Sequence, residues 1–222
     1  MPMGAPLAQQ FWRQLYLIGV QSTGIVMLLA ALAGGGFVLS LQATLPIGLN
    51  TTLELLGAFM VKVLGVVLTL LVLAARSVTA ICSDLAMRRA SGQGGLQLLV
   101  RPRLLALVVS GFILYLYFVL TALLVGALVS NGTFDVWEFT EIVGRLQPGL
   151  ILLGMLRTGL LAGVGLAVAL RLAVRPVRTL DAVPGAVANG VFQAILVMLV
   201  LELMVQVVVA VGQPIQIRAG LG

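Results

Sequence analysis

Apolar residues fill this chain in long unbroken blocks, and charge is confined to the short stretches between them. From Gln14 to Leu53, 40 residues pass without a single charged side chain. One helical crossing of a bilayer needs only about 20 apolar residues, and five stretches meet that length: 17–45, 55–75, 104–129, 149–170 and 190–212. They predict five membrane spans. The first is long for one crossing and contains Gly34-Gly35-Gly36. Each glycine costs about 1 kcal/mol in a helix, so a break or re-entrant bend is expected there. Ahead of it, Leu7, Phe11 and Leu15 recur at four-residue spacing. Phe11, Trp12, Arg13 and Tyr16 suit the headgroup level and predict an interfacial helix over 7–16. The same residues also read as the water-exposed start of the first span. Leu15–Ala30 followed by Ala31-Leu32-Ala33 imitates a secretory signal. Only Arg13 precedes that run as a basic side chain, and apolar character continues to Leu45, so the segment is expected to be retained.

Composition turns this pattern into a class. The 222 residues are 61% hydrophobic and 9% charged, with a mean hydropathy of +1.18. Soluble domains carry roughly 45–50% apolar and about 25% charged residues. A water-soluble globule is excluded, and the expected fold is an all-α integral membrane protein. The net charge of +6 would point to nucleic acid in a soluble protein, but here it is a topology signal. The loop 76–103 carries Arg76, Arg88, Arg89, Arg101 and Arg103 against Asp84, and 171–189 carries Arg171, Arg175 and Arg178 against Asp181. Across the membrane, 131–148 holds Asp135, Glu138 and Glu141 with Arg145. Counting Arg13, nine basic residues lie on one side, against Arg145 and Arg218 on the other. The positive-inside rule places the N-terminus and both basic loops in the cytoplasm and the C-terminus outside. An extra full crossing before Glu54 would break that arrangement, so the glycine run reads as a kink or re-entry. No nucleic-acid partner is expected.

Candidate chemistry is sparse. The chain has no histidine, and Cys82 is its one cysteine; a metal or haem site and an internal disulfide are not expected. Its single lysine, Lys62, lies inside a predicted span, so the chain has no phosphate-binding loop for ATP. Catalytic groupings built on histidine are impossible, and no cofactor bound by this chain is expected. Three ionisable residues fall within spans: Lys62, Arg157 and Glu202. A charge at the bilayer centre costs about 2.5–3.5 kcal/mol on insertion scales, so such groups face protein or a watery cavity. Lys62 and Arg157 are expected at similar depth, where two cations can hold an anionic headgroup such as a lipid phosphate. The other reading is that Lys62 snorkels outward while Arg157 pairs with Glu202. Residues 76–95 combine good helix formers with apolar Ile81 and Leu85. They predict a helix that docks in a groove of a soluble partner or lies on the membrane surface. Gly159 and Gly163 permit close helix approach.

The order of these features resembles the MlaE/YrbE family, permease subunits of ABC transporters that move lipids with MCE proteins. Arg13-Gln-Leu-Tyr-Leu-Ile-Gly-Val is similar to the family's lead into its first span. Arg76 through Gln93 aligns without gaps to its signature loop, with Arg76, Ala80, Arg89, Ala90 and Gln93 identical and Thr79, Asp84 and Ser91 conservative. Lys62-Val63-Leu64-Gly65 falls on the family's Arg-Glu-Leu-Gly, Arg157 on a span lysine, and Leu201-Glu202 on a Leu-Asp. The resemblance implies that 76–95 is a coupling helix whose Arg76, Asp84, Arg88, Arg89, Ser91 and Gln93 face an ATPase. It places Lys62, Arg157 and Glu202 at a lipid cavity between two permease copies or paralogues. It further implies a phospholipid substrate, an MCE-domain partner, ATP with Mg on a separate ATPase subunit, and a bacterial inner-membrane location with the N-terminus cytoplasmic. Departures fall on those surfaces: Val63 replaces a glutamate, Val66 a proline and Gly92 a glutamate, and the loop from Gln93 to Pro102 is short. They leave open a transport-inactive assembly subunit, or a permease for another hydrophobic substrate.

Overall fold

A bilayer offers no hydrogen bonds to an exposed backbone, so an apolar stretch that crosses it folds as a helix. The computed structural model describes residues 7–44, 49–92, 96–131, 148–174 and 179–212, with the single positions 140, 144 and 177. Among the described residues all regular structure is helical. The elements are α1 (Leu7–Leu15), α2 (Gln21–Thr44), α3 (Leu49–Phe59), α4 (Gly65–Val72), α5 (Thr79–Ala90), α6 (Leu96–Asn131), α7 (Pro148–Ala169) and α8 (Val183–Gly212). Wider turns with i→i+5 bonding join several of them end to end: Tyr16–Val20, Met60–Leu64, Leu73–Val78 and Leu170–Val174. The result is five helices long and apolar enough to span a membrane: Phe11–Thr44, Thr51–Ala90, Val100–Ser130, Pro148–Leu172 and Leu180–Val209. The chain is therefore a multi-pass membrane protein.

Helix α6 is the centre of the bundle. It packs against α2 on one side and α7 on the other, and α7 in turn packs against α8. Tyr115 and Phe118 of α6 are among the largest fully buried side chains. The α6–α7 crossing uses the expected glycines: a Cβ on Gly159 would sit 2.1 Å from the Phe112 ring and one on Gly163 2.8 Å from Val108. Outward faces stay apolar, with Leu28 and Leu32 on α2 and Phe192 and Leu203 on α8 exposed.

One expectation is corrected. No break or re-entrant bend occurs at Gly34-Gly35-Gly36; α2 runs through them as one helix. Opening a helix inside the bilayer would strand backbone groups at several kcal/mol each, more than the glycines' propensity cost. Their small size is used for packing instead, since a Cβ on Gly34 would lie 2.1 Å from the Ala122 carbonyl oxygen of α6. The expected helix ahead of the first span is present as α1 (Leu7–Leu15). It passes through the wide turn at Tyr16–Val20 directly into α2. Trp12, Arg13 and Tyr16 are exposed, while Phe11 is half-buried and packs edge-on against Trp12 with ring centroids 5.7 Å apart.

The segment 76–95 likewise continues its span through the wide turn at Leu73–Val78 into α5, and the described helix stops at Gly92. There φ is +72°, and the Gly92 N–H donates to the Arg89 carbonyl at 3.1 Å. This left-handed stop is one that glycine adopts without strain. The departure at Gly92 thus supplies a left-handed stop just past the end of α5; residues 93–95 of the expected coupling segment lie outside the described residues.

Candidate functional site

The second spanning helix is the only one interrupted by two wide turns among the described residues, and the first of them carries Lys62. When a helix returns from i→i+5 to i→i+4 bonding, its ladder passes over one carbonyl, which then needs another donor. At Met60–Leu64 the Gly65 N–H reaches back to the Met60 carbonyl, and side chains from other helices donate to the next two. Tyr115 Oη of α6 donates to the Val61 carbonyl at 2.7 Å. Arg157 of α7 donates through Nη2 to the Lys62 carbonyl at 2.5 Å. Gln206 of α8 donates through Nε2 to that same Lys62 carbonyl.

Packing reserves the space for this arrangement. A Cβ on Gly154 of α7 would lie 2.2 Å from Tyr115 Oη, and one on Gly65 would lie 3.2 Å from the Tyr115 ring. Both positions are glycine, which leaves the tyrosine room between the two helices. Glu202 completes the group: its Oε1 forms an ion pair with Arg157 Nη2 at 3.0 Å and accepts a hydrogen bond from Gln206 Nε2 at 2.8 Å. The Glu202 side chain is 3% exposed and that of Arg157 11%, so the pair is largely out of solvent and lipid. Lys62 is different. Its carbonyl is held in the cluster, yet the residue is exposed. Among the described residues no carboxylate lies within ion-pair distance of its ammonium.

The structure thus brings Lys62, Arg157 and Glu202 together, but gives them unlike surroundings. Arg157 is committed to Glu202 and to a backbone carbonyl, whereas Lys62 remains accessible. Tyr115 and Gln206 belong to the same cluster and do not stand out in the sequence as charges do. Gln206 lies one helical turn after Glu202 in an otherwise apolar run, and that spacing is the signal that could have found it.

A second polar group lies past the apolar part of the same helix. In α5, Asp84 accepts from Arg88 Nε at 3.1 Å and pairs with Arg103 Nη2 of α6. Arg76 donates to the Gln21 carbonyl at the start of α2. Of the residues expected to face an ATPase, Arg76, Asp84 and Arg88 therefore make bonds within the chain. Ser91 does so as well, its Oγ donating to the Met87 carbonyl at 2.7 Å, though it is exposed like Arg89; Gln93 lies outside the described residues. Exposed Met87 and Ala80 lie on one face of α5, opposite buried Ile81, Cys82, Leu85 and Ala86.

A family model described as Permease MlaE matches residues 11–208, a stretch that contains both polar groups. No curated protein matches the chain. The chain belongs to the MlaE permease family and is a membrane permease subunit of an ABC transporter, working with an ATPase subunit rather than as an enzyme in its own right.

Proposed function

We propose that this permease moves phospholipid between a bacterial inner membrane and an MCE-domain protein, driven by ATP, with Mg, on the partner ATPase. Two permease copies, or this chain and a paralogue, enclose the lipid, with the N-terminus and the basic loops on the cytoplasmic side. The observation that carries the reading is the polar turn at Met60–Leu64, where an exposed lysine in an apolar span stands beside an arginine already neutralised by Glu202. An ammonium in a low-dielectric setting calls for a counter-charge, and a lipid phosphate is the anion a bilayer supplies in quantity. Lys62 is the direct headgroup contact on this reading, and Arg157 and Glu202 line the cavity as a neutral pair.

Coupling is assigned to α5. Arg76 and Asp84 fix the helix to α2 and α6, leaving Met87, Arg89 and Ser91 exposed for the ATPase. Arg89→Glu is expected to lower ATP-driven lipid transfer while the complex still assembles.

The test is purification of the chain from its native membrane in mild detergent, with mass spectrometry of bound proteins and lipids. An ATPase, an MCE-domain protein and bound phospholipid are the expected result. Recovery with the ATPase but without lipid would replace this reading with an assembly subunit that does not transport. A non-lipid hydrophobic cargo would change the substrate class.

A further inference from the structure

We infer that Gln206, acting with Tyr115 and the Arg157–Glu202 pair, positions Lys62: these side chains hold the carbonyls of the wide turn and so set the direction in which the lysine presents its ammonium to a lipid phosphate. This rests on the reading of Lys62 as the headgroup contact. A wide turn holds one residue more than an ordinary turn, and one residue of α-helix is about 100° of rotation. Collapse of the Met60–Leu64 turn would swing Lys62 about that far relative to the helix beyond it. The turn persists only if its passed-over carbonyl is paired, because an unpaired carbonyl in an apolar setting is costly. Two adjacent carbonyls of the turn receive such donors: that of Val61 from Tyr115 of α6, and that of Lys62 itself from Arg157 of α7 and Gln206 of α8.

The geometry of the ion pair supports the same assignment. An arginine and a carboxylate left to themselves favour a two-bond fork. Here a single nitrogen, Arg157 Nη2, serves both Glu202 Oε1 and the Lys62 carbonyl. Arg157 Nε and Glu202 Oε2 are buried without a hydrogen-bond partner among the described residues. Gln206 Nε2 bridges the same two acceptors. Both donors are thus turned toward the lysine's backbone at the expense of a fuller contact between Arg157 and Glu202.

The experiment measures phosphatidylglycerol binding to the purified complex with its ATPase partner, in detergent micelles. Gln206→Leu is expected to weaken binding about threefold to tenfold, the range set by loss of one hydrogen bond. Gln206→Lys, which keeps an N–H donor, is expected to restore most of the affinity. In a Lys62→Ala background Gln206→Leu should add nothing, since a positioning residue has nothing left to position. Tyr115→Phe, which removes one oxygen, is run through the same cycle in case Gln206→Leu fails to assemble. Parental binding by Gln206→Leu, or equal losses with and without Lys62, would overturn the positioning role while the headgroup contact stands. Parental binding by Lys62→Ala would remove the headgroup contact, and the positioning role with it.

Discussion

The second spanning helix contains two wide turns that solve the same problem in different ways. At Leu73–Val78 the donor is local: Thr79 Oγ1 reaches back to the Ala75 carbonyl at 2.7 Å and the Ala74 carbonyl at 3.3 Å. At Met60–Leu64 the donors belong to Tyr115, Arg157 and Gln206 on three other helices. A turn paired by its own next residue keeps its shape whatever its neighbours do. A turn paired from across the bundle exists only while the bundle is assembled in one way, so its shape reports on helix packing. The lysine sits on the second kind. In a transporter this ties the proposed headgroup contact to the relative position of α6, α7 and α8.

Four substitutions sharpen that contrast, from the largest expected effect to the smallest. Glu202→Leu leaves the Arg157 guanidinium buried without its carboxylate, and breaking such a pair costs about 3–5 kcal/mol. Thermal unfolding of the purified complex is expected to show the largest drop for this variant; a parental midpoint would mean that the pair carries no stability. Gly154→Ala drives a methyl against Tyr115 Oη, an overpacking worth about 1–3 kcal/mol. The same thermal assay should place it second, and an unchanged value would show that Tyr115 moves aside without cost. Tyr115→Phe removes the donor to the Val61 carbonyl and is expected to cost about 1 kcal/mol, with reduced amide-exchange protection around residues 61–66. Thr79→Val takes away the local donor at the other turn. Its expected cost is about 0.5 kcal/mol, with no change in exchange at 61–66 and none in phospholipid binding. A shared exchange response to the last two variants would erase the distinction between the turns.

Much of the architecture is legible in the sequence because a bilayer imposes one strong rule. Apolar blocks of sufficient length become helices, and the blocks around 55–75, 104–129 and 149–170 each lie within one. The Gly34–Gly36 run misleads because helix propensity counts a cost per glycine. It does not count the close approach to Ala122 that the missing side chains allow, or the cost of opening a backbone in lipid. The wide turns leave no mark on the local sequence, since what sustains the one at Met60–Leu64 is supplied from residues 115, 157 and 206. Charge makes Lys62, Arg157 and Glu202 conspicuous, but charge alone does not separate an accessible lysine from a neutralised arginine. Tyr115 gives a faint signal, a tyrosine deep in an apolar span rather than near its end, where such residues usually lie. On α5 the charges divide the same way: Asp84 is taken up by Arg88, four residues on, and by Arg103, a partner that only contacts in space reveal.

Contact between Lys62 and a lipid phosphate can be measured directly, because Lys62 is the only lysine in the chain. The purified complex is treated with an amine-reactive reagent in detergent, with phosphatidylglycerol, with diacylglycerol or with neither, and labelling of the Lys62 peptide is followed by mass spectrometry. Phosphatidylglycerol is expected to slow labelling severalfold, in line with a charge-assisted contact, whereas diacylglycerol, which lacks the phosphate, is expected to leave it unchanged. Equal rates in all three conditions, or equal slowing by both lipids, would contradict the contact.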